Sequence, residues 1–121
     1  MKSREIKFRA WLNHKQQILP DRLFDIDTYQ NVIILKENDA SYSYSGCYKS
    51  CELMQFTGLK DKNVKDIYEG DHNGKLIVFF ENGCFKLKNK NNNVLGLLSN
   101  YTSIEEFEII GNIFEDIGLL K

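Results

Sequence analysis

Apolar and polar residues alternate along the segment from Ile6 to Leu12, which reads I-K-F-R-A-W-L. A period of two residues is typical of a strand that buries one face, so we expect a strand with Ile6, Ala10 and their alternate neighbours inward. We interpret the other face as an ordinary solvated strand face on which Trp11 packs under a loop. The alternative is a basic and aromatic platform on which nucleic-acid bases stack.

The segment from Lys75 to Lys88 predicts a β-hairpin centred on Asn82-Gly83. Asn-Gly is preferred in two-residue type I′ turns, where both residues need a positive φ, and Asn73-Gly74 carries the same signal. A two-residue loop pairs Phe80 with Phe85 and places both side chains on one face. We predict that this face is core and that Phe80 and Phe85 are buried; its apolar members are Leu76, Val78, Phe80, Phe85 and Leu87.

The opposite face of this hairpin mixes apolar and charged side chains, so we expect part of it to be exposed. It supplies the candidate interaction surface, which consists of Ile77, Phe79, Lys86 and Lys88.

The middle of the chain predicts a second hairpin. Asn31 to Lys36 is an apolar strand, and a row of alternating tyrosines follows at Tyr42, Tyr44 and Tyr48. Tyrosines in this pattern are commonly half-buried cross-strand residues, and the alternative is an exposed recognition surface.

Three later features are local. Val94 to Leu98 is apolar but contains Gly96, so a strand and a short helix both fit. Ser103 to Glu106 has the pattern of a capping box and predicts one helical turn. Gly111 predicts a bulge or a tight bend in the last strand.

The 121 residues suit one domain, which buries roughly two-thirds of its surface on folding. Apolar residues make up 42% and charged residues 27%, as in ordinary globular proteins. A net charge of -1 gives no global field that would attract nucleic acid or an anionic membrane. No apolar run approaches the roughly 20 residues of a membrane span, and no signal peptide opens the chain, so we expect a cytoplasmic protein.

Cysteine spacing gives no evidence of a metal site. Cys47, Cys51 and Cys84 follow no known pattern, so we predict free thiols. A zinc site that combined them with His14 or His72 is disfavoured, because the chain has no C-x-x-C pair. We therefore expect no metal and no other cofactor.

Glu69, Asp71 and His72 form the strongest catalytic candidate, because a histidine near a carboxylate can act as a general base. However, neighbouring residues of an extended segment point to opposite faces, so Asp71 is poorly placed to orient His72. The chain also has no phosphate-cradling loop and no nucleophile elbow. The sequence therefore predicts no catalytic residue and no enzyme.

The segment from Leu53 to Asp71 reads as strand, turn and strand, L-M-Q-F-T-G-L-K-D-K-N-V-K-D-I-Y-E-G-D. It resembles the signature of the YopX-like proteins of phages and prophages. The opening R-E-I-K-F-R-A-W (Arg4 to Trp11) and the closing I-I-G-N-I-F-E-D (Ile109 to Asp116) are similar to the two ends of that family. The resemblance spans nearly the whole chain.

This resemblance implies a mainly β (β-rich α+β) fold: a single compact domain over 1–121, built of antiparallel hairpins that form a small, partly open SH3-like β-barrel. Its parts would be an N-terminal β region at about 1–52, the central signature at 53–71 and a C-terminal barrel half at 72–121. The signature residues, expected to be structural, are Trp11, Gly58, Asp61, Asn63, Tyr68, Gly70, Asp71, Gly111 and Asn112.

Two departures from the family pattern have physical consequences. Val64 stands where relatives carry glycine; a positive φ there costs about 1–2 kcal/mol for a β-branched residue, so we expect a different turn geometry. Several residues are also missing after Asp71. Their loss is expected to uncover a sheet edge and, with Ile77 and Phe79, to promote self-association unless the Asn89–Asn93 loop or the C-terminal tail covers it.

The function that the resemblance implies is that of a noncatalytic phage or prophage accessory protein acting through protein binding. The expected partners are a second copy of the chain and a host protein, for example a defence factor. The alternative is a small β-barrel that binds nucleic acid in phage DNA metabolism or regulation. The neutral charge disfavours it, since Lys86, Lys88 and Lys90 are the only local basic cluster.

Overall fold

The computed structural model describes residues 5–13, 16–27, 32–38, 41–48, 51–102 and 107–121, with the backbone alone for 32–38, 41–48 and 101–102. The protein is mainly β, as predicted, with half of its residues in strands. In the described part, no helix has the length and apolar character that crossing a membrane requires. Two compact units divide the chain: an N-terminal unit at Lys7–Met54, and a C-terminal unit built mainly from Gln55–Lys121.

The N-terminal unit is made of short antiparallel strands. Its elements are β1 (Phe8–Leu12), β2 (Gln17–Leu19), a 3-10 turn (Asp21–Leu23), β3 (Phe24–Asp27), β4 (Val32–Asn38) and β5 (Ser41–Tyr48). β1 pairs with β2, and β3, β4 and β5 form a three-stranded sheet. The hairpin predicted for the middle segment is thus present. A small core packs between these elements, consisting of Ala10, Leu12, Leu19 and Phe24.

The buried residues of β1 do not follow the predicted alternation of one buried and one exposed face. Ala10 and Leu12 are fully buried as predicted, but Trp11 on the opposite face is also buried, at 4% exposure. Ile6, expected to point inward, precedes the strand and is 61% exposed. The inward face therefore begins at Phe8, and both faces are covered where the strand ends. A buried Trp11 cannot serve as a platform for stacked bases.

Several predicted features lie outside the described residues. These are the tyrosine side chains of β5, the thiol of Cys47, His14 and the capping box at residues 103–106.

The C-terminal unit contains most of the remaining strands. Its elements are β6 (Cys51–Lys60, which begins in the N-terminal unit), β7 (Asp66–Tyr68), β8 (Asp71–His72), β9 (Ile77–Glu81), β10 (Cys84–Lys88), β11 (Val94–Leu97), α1 (Leu98–Thr102), β12 (Gly111–Asn112) and a 3-10 turn (Ile117–Leu119). A five-stranded sheet runs in the order β11-β10-β9-β8-β12, and β7 pairs with β6. One sheet of the protein curls into a half-barrel, in agreement with the predicted partly open barrel.

The core of this unit is a second apolar cluster, fully buried or nearly so. It consists of Ile67, Val78, Leu87, Leu98 and Phe107. Phe107 comes from the segment after α1, so the last part of the chain closes this core. The apolar segment 94–98 resolves into a strand that passes directly into a short helix.

The β9–β10 hairpin has the predicted register. Glu81 faces Cys84 and Phe80 faces Phe85 across a two-residue turn. Asn82 and Gly83 have φ of 54° and 80°, both in the left-handed region that a type I′ turn needs.

The first Asn-Gly pair forms a different turn. At Asn73-Gly74 only the glycine has a positive φ, at 92°. His72 pairs with Ile77 across a four-residue connection, in which the Asn73 N–H donates to the Leu76 carbonyl oxygen at 3.2 Å. The dipeptide signal therefore predicts a turn correctly here, but not its length.

Candidate functional site

The signature turn is built around the carboxylate of Asp61, a residue that is 7% exposed. Its Oδ1 accepts the backbone N–H groups of Asn63 and Lys65 at 2.8 and 2.9 Å, and its Oδ2 accepts that of Ile109 at 2.9 Å. Burial acts to raise the pKa of this carboxyl group, but the three hydrogen bonds and the charge of Lys65 prevail and lower it. One side chain thus closes a turn and ties it to the C-terminal segment.

Val64 in the same turn has a φ of 64°. Its N–H donates to the Asp61 carbonyl oxygen at 3.0 Å, and the Asp61 N–H donates to that of Lys65 at 2.9 Å. The expectation of a different turn geometry is therefore wrong. The bonds from Asp61 fix the residues on both sides of Val64, so the β-branched residue takes a conformation that normally favours glycine.

A second link between the turn and the C-terminal segment lies at the surface. The Asn63 side-chain amide donates to Glu108 Oε2 at 3.2 Å, and Lys62 Nζ lies 3.4 Å from the same oxygen. The Asn63 hydrogen bond, followed by the bond and charge of Lys62, lowers the pKa of Glu108. Exposed pairs of this kind add little stability. The Lys62 N–H also donates to the Phe107 carbonyl oxygen at 3.0 Å, which holds the segment in register.

The carboxylates of Glu69 and Asp71 both accept backbone hydrogen bonds. Glu69 Oε1 accepts the N–H of Gln55 at 2.9 Å, and the Glu69 N–H donates to the Gln55 carbonyl oxygen at 3.0 Å. Asp71 is 1% exposed, and its Oδ2 accepts the N–H of Tyr68 at 2.8 Å. The Glu69 carboxylate therefore ties the chain after β7 to the middle of β6, and the Asp71 carboxylate ties the start of β8 to the end of β7.

His72 is fully buried, with both ring nitrogens in hydrogen bonds. Nδ1 accepts the Gly74 N–H at 3.1 Å, and Nε2 lies 2.9 Å from the Asp116 carbonyl oxygen. Since Nδ1 accepts, Nε2 must carry the hydrogen and donate it. The ring thus bridges the β8–β9 turn and the C-terminal segment, and it is inaccessible to a substrate in solution.

The closing motif turns the chain through Asn112, whose Oδ1 accepts the N–H groups of Phe114 and Glu115, both at 2.9 Å. Gly111 is needed for close approach, because a Cβ there would lie 2.3 Å from the Cβ of Asp116. The bend predicted at Gly111 follows directly after β12, at residues 113–115.

The C-terminal segment covers the sheet edge that the missing residues were expected to expose. β12 pairs with β8, and the Ile110 N–H donates to the His72 carbonyl oxygen at 2.9 Å. The Ile113 N–H donates to the Gly70 carbonyl oxygen at 2.9 Å. The expected open edge after Asp71 is therefore wrong, because the tail supplies the partner strand.

The burial of two hairpin side chains differs from the prediction. Ile77, placed on the candidate interaction surface, is only 8% exposed, because it lies at the base of the hairpin beside His72. Phe80, predicted to be buried, is 49% exposed, since it lies near the tip and its ring packs on the half-buried Phe85, 5.1 Å between centroids. The core face is buried at Val78 but not at the tip.

The remaining members of the candidate surface contact their neighbours. Lys86 Nζ lies 3.3 Å from Glu81 Oε1, and Lys88 Nζ lies 4.8 Å above the ring centre of the half-buried Phe79. These lysines form no free basic stripe.

An apolar surface that the sequence reading did not assign lies on β11. Val94, Leu95 and Leu97 are 50%, 53% and 41% exposed, and we call them the β11 surface. β11 is an edge strand of the five-stranded sheet. In the sequence, the uncharged run V-L-G-L-L at residues 94–98 is the feature that indicates this surface. Without the order of the strands, however, the same run is equally consistent with a buried core segment.

A groove of about 280 Å³ adjoins the β11 surface, and Leu97 belongs to both. Its walls are apolar or uncharged, and they are formed by Thr57, Leu59, Cys84, Phe85, Leu97, Leu98 and Ser99. The Cys84 thiol is free and exposed there.

A model of the family described as YopX protein matches residues 7–121. The chain belongs to the YopX family. Among solved structures, protein EF1440 from Enterococcus faecalis is similar, with a TM-score of 0.66 and 23% identity over 98% of this chain and 100% of that one. At this identity the similarity shows a common fold. A comparison with curated proteins finds no match.

The other residues of the YopX signature also occupy structural positions. Gly58 and Gly70 have φ of 86° and 87°, and Trp11 is buried. The ring of Tyr68 packs on Phe56 with 5.6 Å between centroids. Through its hydrogen bonds, turns and packing, the signature defines a scaffold.

The thiols and acidic groups of this YopX chain form no cluster of three or more suited to a metal ion, within the residues that the structure describes. Burial, followed by the charge of Glu52, raises the pKa of the half-buried Cys51 thiol. The reactive thiolate form of Cys51 is therefore harder to populate.

Proposed function

We propose that this YopX chain is a noncatalytic accessory protein of a phage or prophage, and that it acts by binding proteins through the β11 surface. The observation that carries the proposal is the exposure of Val94, Leu95 and Leu97 on one edge strand. Grouped apolar side chains beside a groove are typical of interaction sites, whereas isolated ones are common on any surface.

The partner that we propose first is a second copy of the chain. β11 carries no charged residue, and the net charge of -1 hardly opposes association of two copies. A two-fold axis beside β11 would bring the two edge strands together and cover their exposed apolar side chains, as isologous interfaces do.

The edge strand itself has a feature that weakens simple strand pairing. β11 has four residues and a register irregularity opposite Leu87 and Lys88. Short and bulged edges resist pairing with another chain. We therefore assign the main contact to the side chains and the adjoining groove, and a smaller part to backbone bonds. A host protein with an apolar segment would use the same surface.

The proposal that the chain is noncatalytic is supported by the hydrogen bonds that its best catalytic candidates already form. Backbone groups form hydrogen bonds with the side chains of Glu69, Asp71 and His72. Asp71 and His72 are also almost fully buried. The nucleic-acid alternative has no comparable support, because Lys86 and Lys88 are engaged with Glu81 and Phe79.

The test is sedimentation of the full chain over a range of concentrations. We expect the wild type to shift from a 14.1 kDa species to a dimer, and Leu95→Lys to remain a monomer. Ile117→Lys is the matched control, since Ile117 is equally exposed, at 54%, but belongs to the last 3-10 turn and not to β11. A wild type that stays monomeric at every concentration would contradict self-association.

The host-partner arm uses the same variants. Wild type, Leu95→Lys and Ile117→Lys are each used to capture proteins from a host lysate. Partners that the wild type and Ile117→Lys retain and Leu95→Lys loses would support binding through β11. If the wild type and both variants capture the same proteins, the β11 surface is not the binding site.

A further inference from the structure

Two asparagines of the chain precede glycine, at Asn73-Gly74 and Asn82-Gly83. This dipeptide is chemically the most labile of asparagine sequences, because glycine has no side chain to hinder attack of its backbone nitrogen on the asparagine side chain. The two copies therefore allow a comparison of one reactive group in two environments of the same fold.

Asn82-Gly83 lies at the exposed tip of the β9–β10 hairpin, where residues 81–84 are all exposed. No residue in the described part of the chain forms a hydrogen bond with the Asn82 side chain or the Gly83 N–H. Attack requires rotation about the Asn82 backbone, and at this tip the residues on both sides of the rotating bonds are exposed.

Asn73-Gly74 is held at the attacking nitrogen and at the asparagine side-chain amide. The Asn73 side-chain oxygen accepts the N–H groups of Lys75 and Leu76 at 3.0 and 2.8 Å. The Gly74 N–H, which must lose its proton before attack, donates to Nδ1 of the fully buried His72 at 3.1 Å. The bond from Gly74 must break before its nitrogen can attack, and the two bonds to the side-chain oxygen hold the Asn73 side chain in its present rotamer.

We propose that Asn82 is a site of spontaneous deamidation and that the fold protects Asn73 from the same reaction. The deprotonated Gly83 nitrogen bonds to Cγ of Asn82, the Cγ–NH₂ bond breaks, and ammonia leaves with the proton. Water then opens the resulting cyclic imide to aspartate or isoaspartate. One water is consumed and one ammonia is released, and no oxidant or reductant takes part.

The product places a new carboxylate beside Glu81, which already pairs with Lys86. It also stands two residues from Phe80 on one side and two residues from Cys84 of the groove on the other. The modification is thus a one-way change of charge at the end of the hairpin. It does not depend on the proposed function.

The experiment incubates the full chain at mildly alkaline pH, folded and in denaturant, and follows both sites by peptide mapping with mass spectrometry. In the folded chain we expect Asn82 to convert at least about tenfold faster than Asn73, since breaking even one or two ordinary hydrogen bonds costs about that factor. In denaturant the two sites should convert at comparable rates.

Asn82→Gly is the control, because Gly-Gly also adopts the positive φ values of this turn and has no amide to lose. It should abolish the main product and leave the slow conversion at Asn73 unchanged. Equal rates at both sites of the folded chain, a faster Asn73, or no conversion at Asn82 would each overturn the proposal.

Discussion

Removing the Asp61 carboxylate tests whether the family signature stabilises the fold. Asp61→Asn keeps the side-chain size and one oxygen for the N–H groups of Asn63 and Lys65. The new NH₂ group then faces the Ile109 N–H, so two donors meet where a carboxylate oxygen accepted a bond of 2.9 Å. We expect a loss of about 1–3 kcal/mol in the free energy of unfolding, the usual cost of an unsatisfied donor.

Asp61→Ala removes all three acceptor bonds. The N–H groups of Asn63 and Lys65 belong to exposed residues and can recover bonds to water, whereas Ile109 is half-buried. We therefore expect a loss of about 3–5 kcal/mol, larger than for Asp61→Asn but less than three full penalties.

The same bonds predict a dependence on pH. Because the folded pKa of Asp61 is lowered from its ordinary value of 3.8, the carboxylate stabilises the fold fully above that value. Its contribution declines as the pH falls below 3.8 and is lost as the pH passes through the folded pKa. The difference in the free energy of unfolding between wild type and Asp61→Asn should therefore be constant around neutral pH. It should become smaller in strong acid.

Urea denaturation at several pH values measures these differences, with Glu108→Gln as control. Glu108 contacts the same turn through Asn63 and Lys62, but at the surface, so its replacement should change the midpoint very little. Asp61→Asn with wild-type stability at neutral pH would refute the reasoning, as would a difference that does not narrow in acid.

Three further predictions use the same denaturation assay. Leu87→Ala should cost about 2–5 kcal/mol because Leu87 is fully buried, whereas Phe80→Ala should cost about 1 kcal/mol because half of that residue is already in water; equal losses would contradict the assigned burial. Val64→Gly should stabilise the protein by about 0.5–1 kcal/mol, the relief of strain exceeding the entropy cost of glycine; a loss would mean that the turn holds Val64 without strain. His72→Phe should cost about 2–3 kcal/mol by leaving the Gly74 N–H and the Asp116 carbonyl oxygen without their partner; wild-type stability would show that water replaces the ring.

Local turn chemistry made part of the fold predictable. Asn82-Gly83 determined the β9–β10 register, because a two-residue turn permits only one pairing. The same pattern could not give the depth of each side chain, which depends on where the hairpin lies against the rest of the unit. Phe80 and Val78 share a face, yet only Val78 lies deep enough to be buried.

Contacts between distant residues were beyond the sequence pattern. Asp61 and Ile109 are 48 positions apart, and nothing near either residue indicates that they meet. The pairing of β12 with β8 is also a contact between distant residues. The sequence pattern does not indicate this pairing, so the missing residues after Asp71 suggested an open edge. The β11 surface was missed because an apolar run becomes an exposed edge only through the order of the strands.

The geometry of the signature also explains why the family match predicts the fold well and the activity poorly. The polar side chains of Asp61, Asp71 and Asn112 accept backbone hydrogen bonds, and that task is the same whatever the protein binds. We therefore expect relatives that retain these residues to share the fold, whereas their partners can differ. The determinants of function must then lie among side chains that the scaffold leaves exposed. In the C-terminal unit the β11 surface meets this condition, so its substitution should change binding while the signature and the fold remain intact.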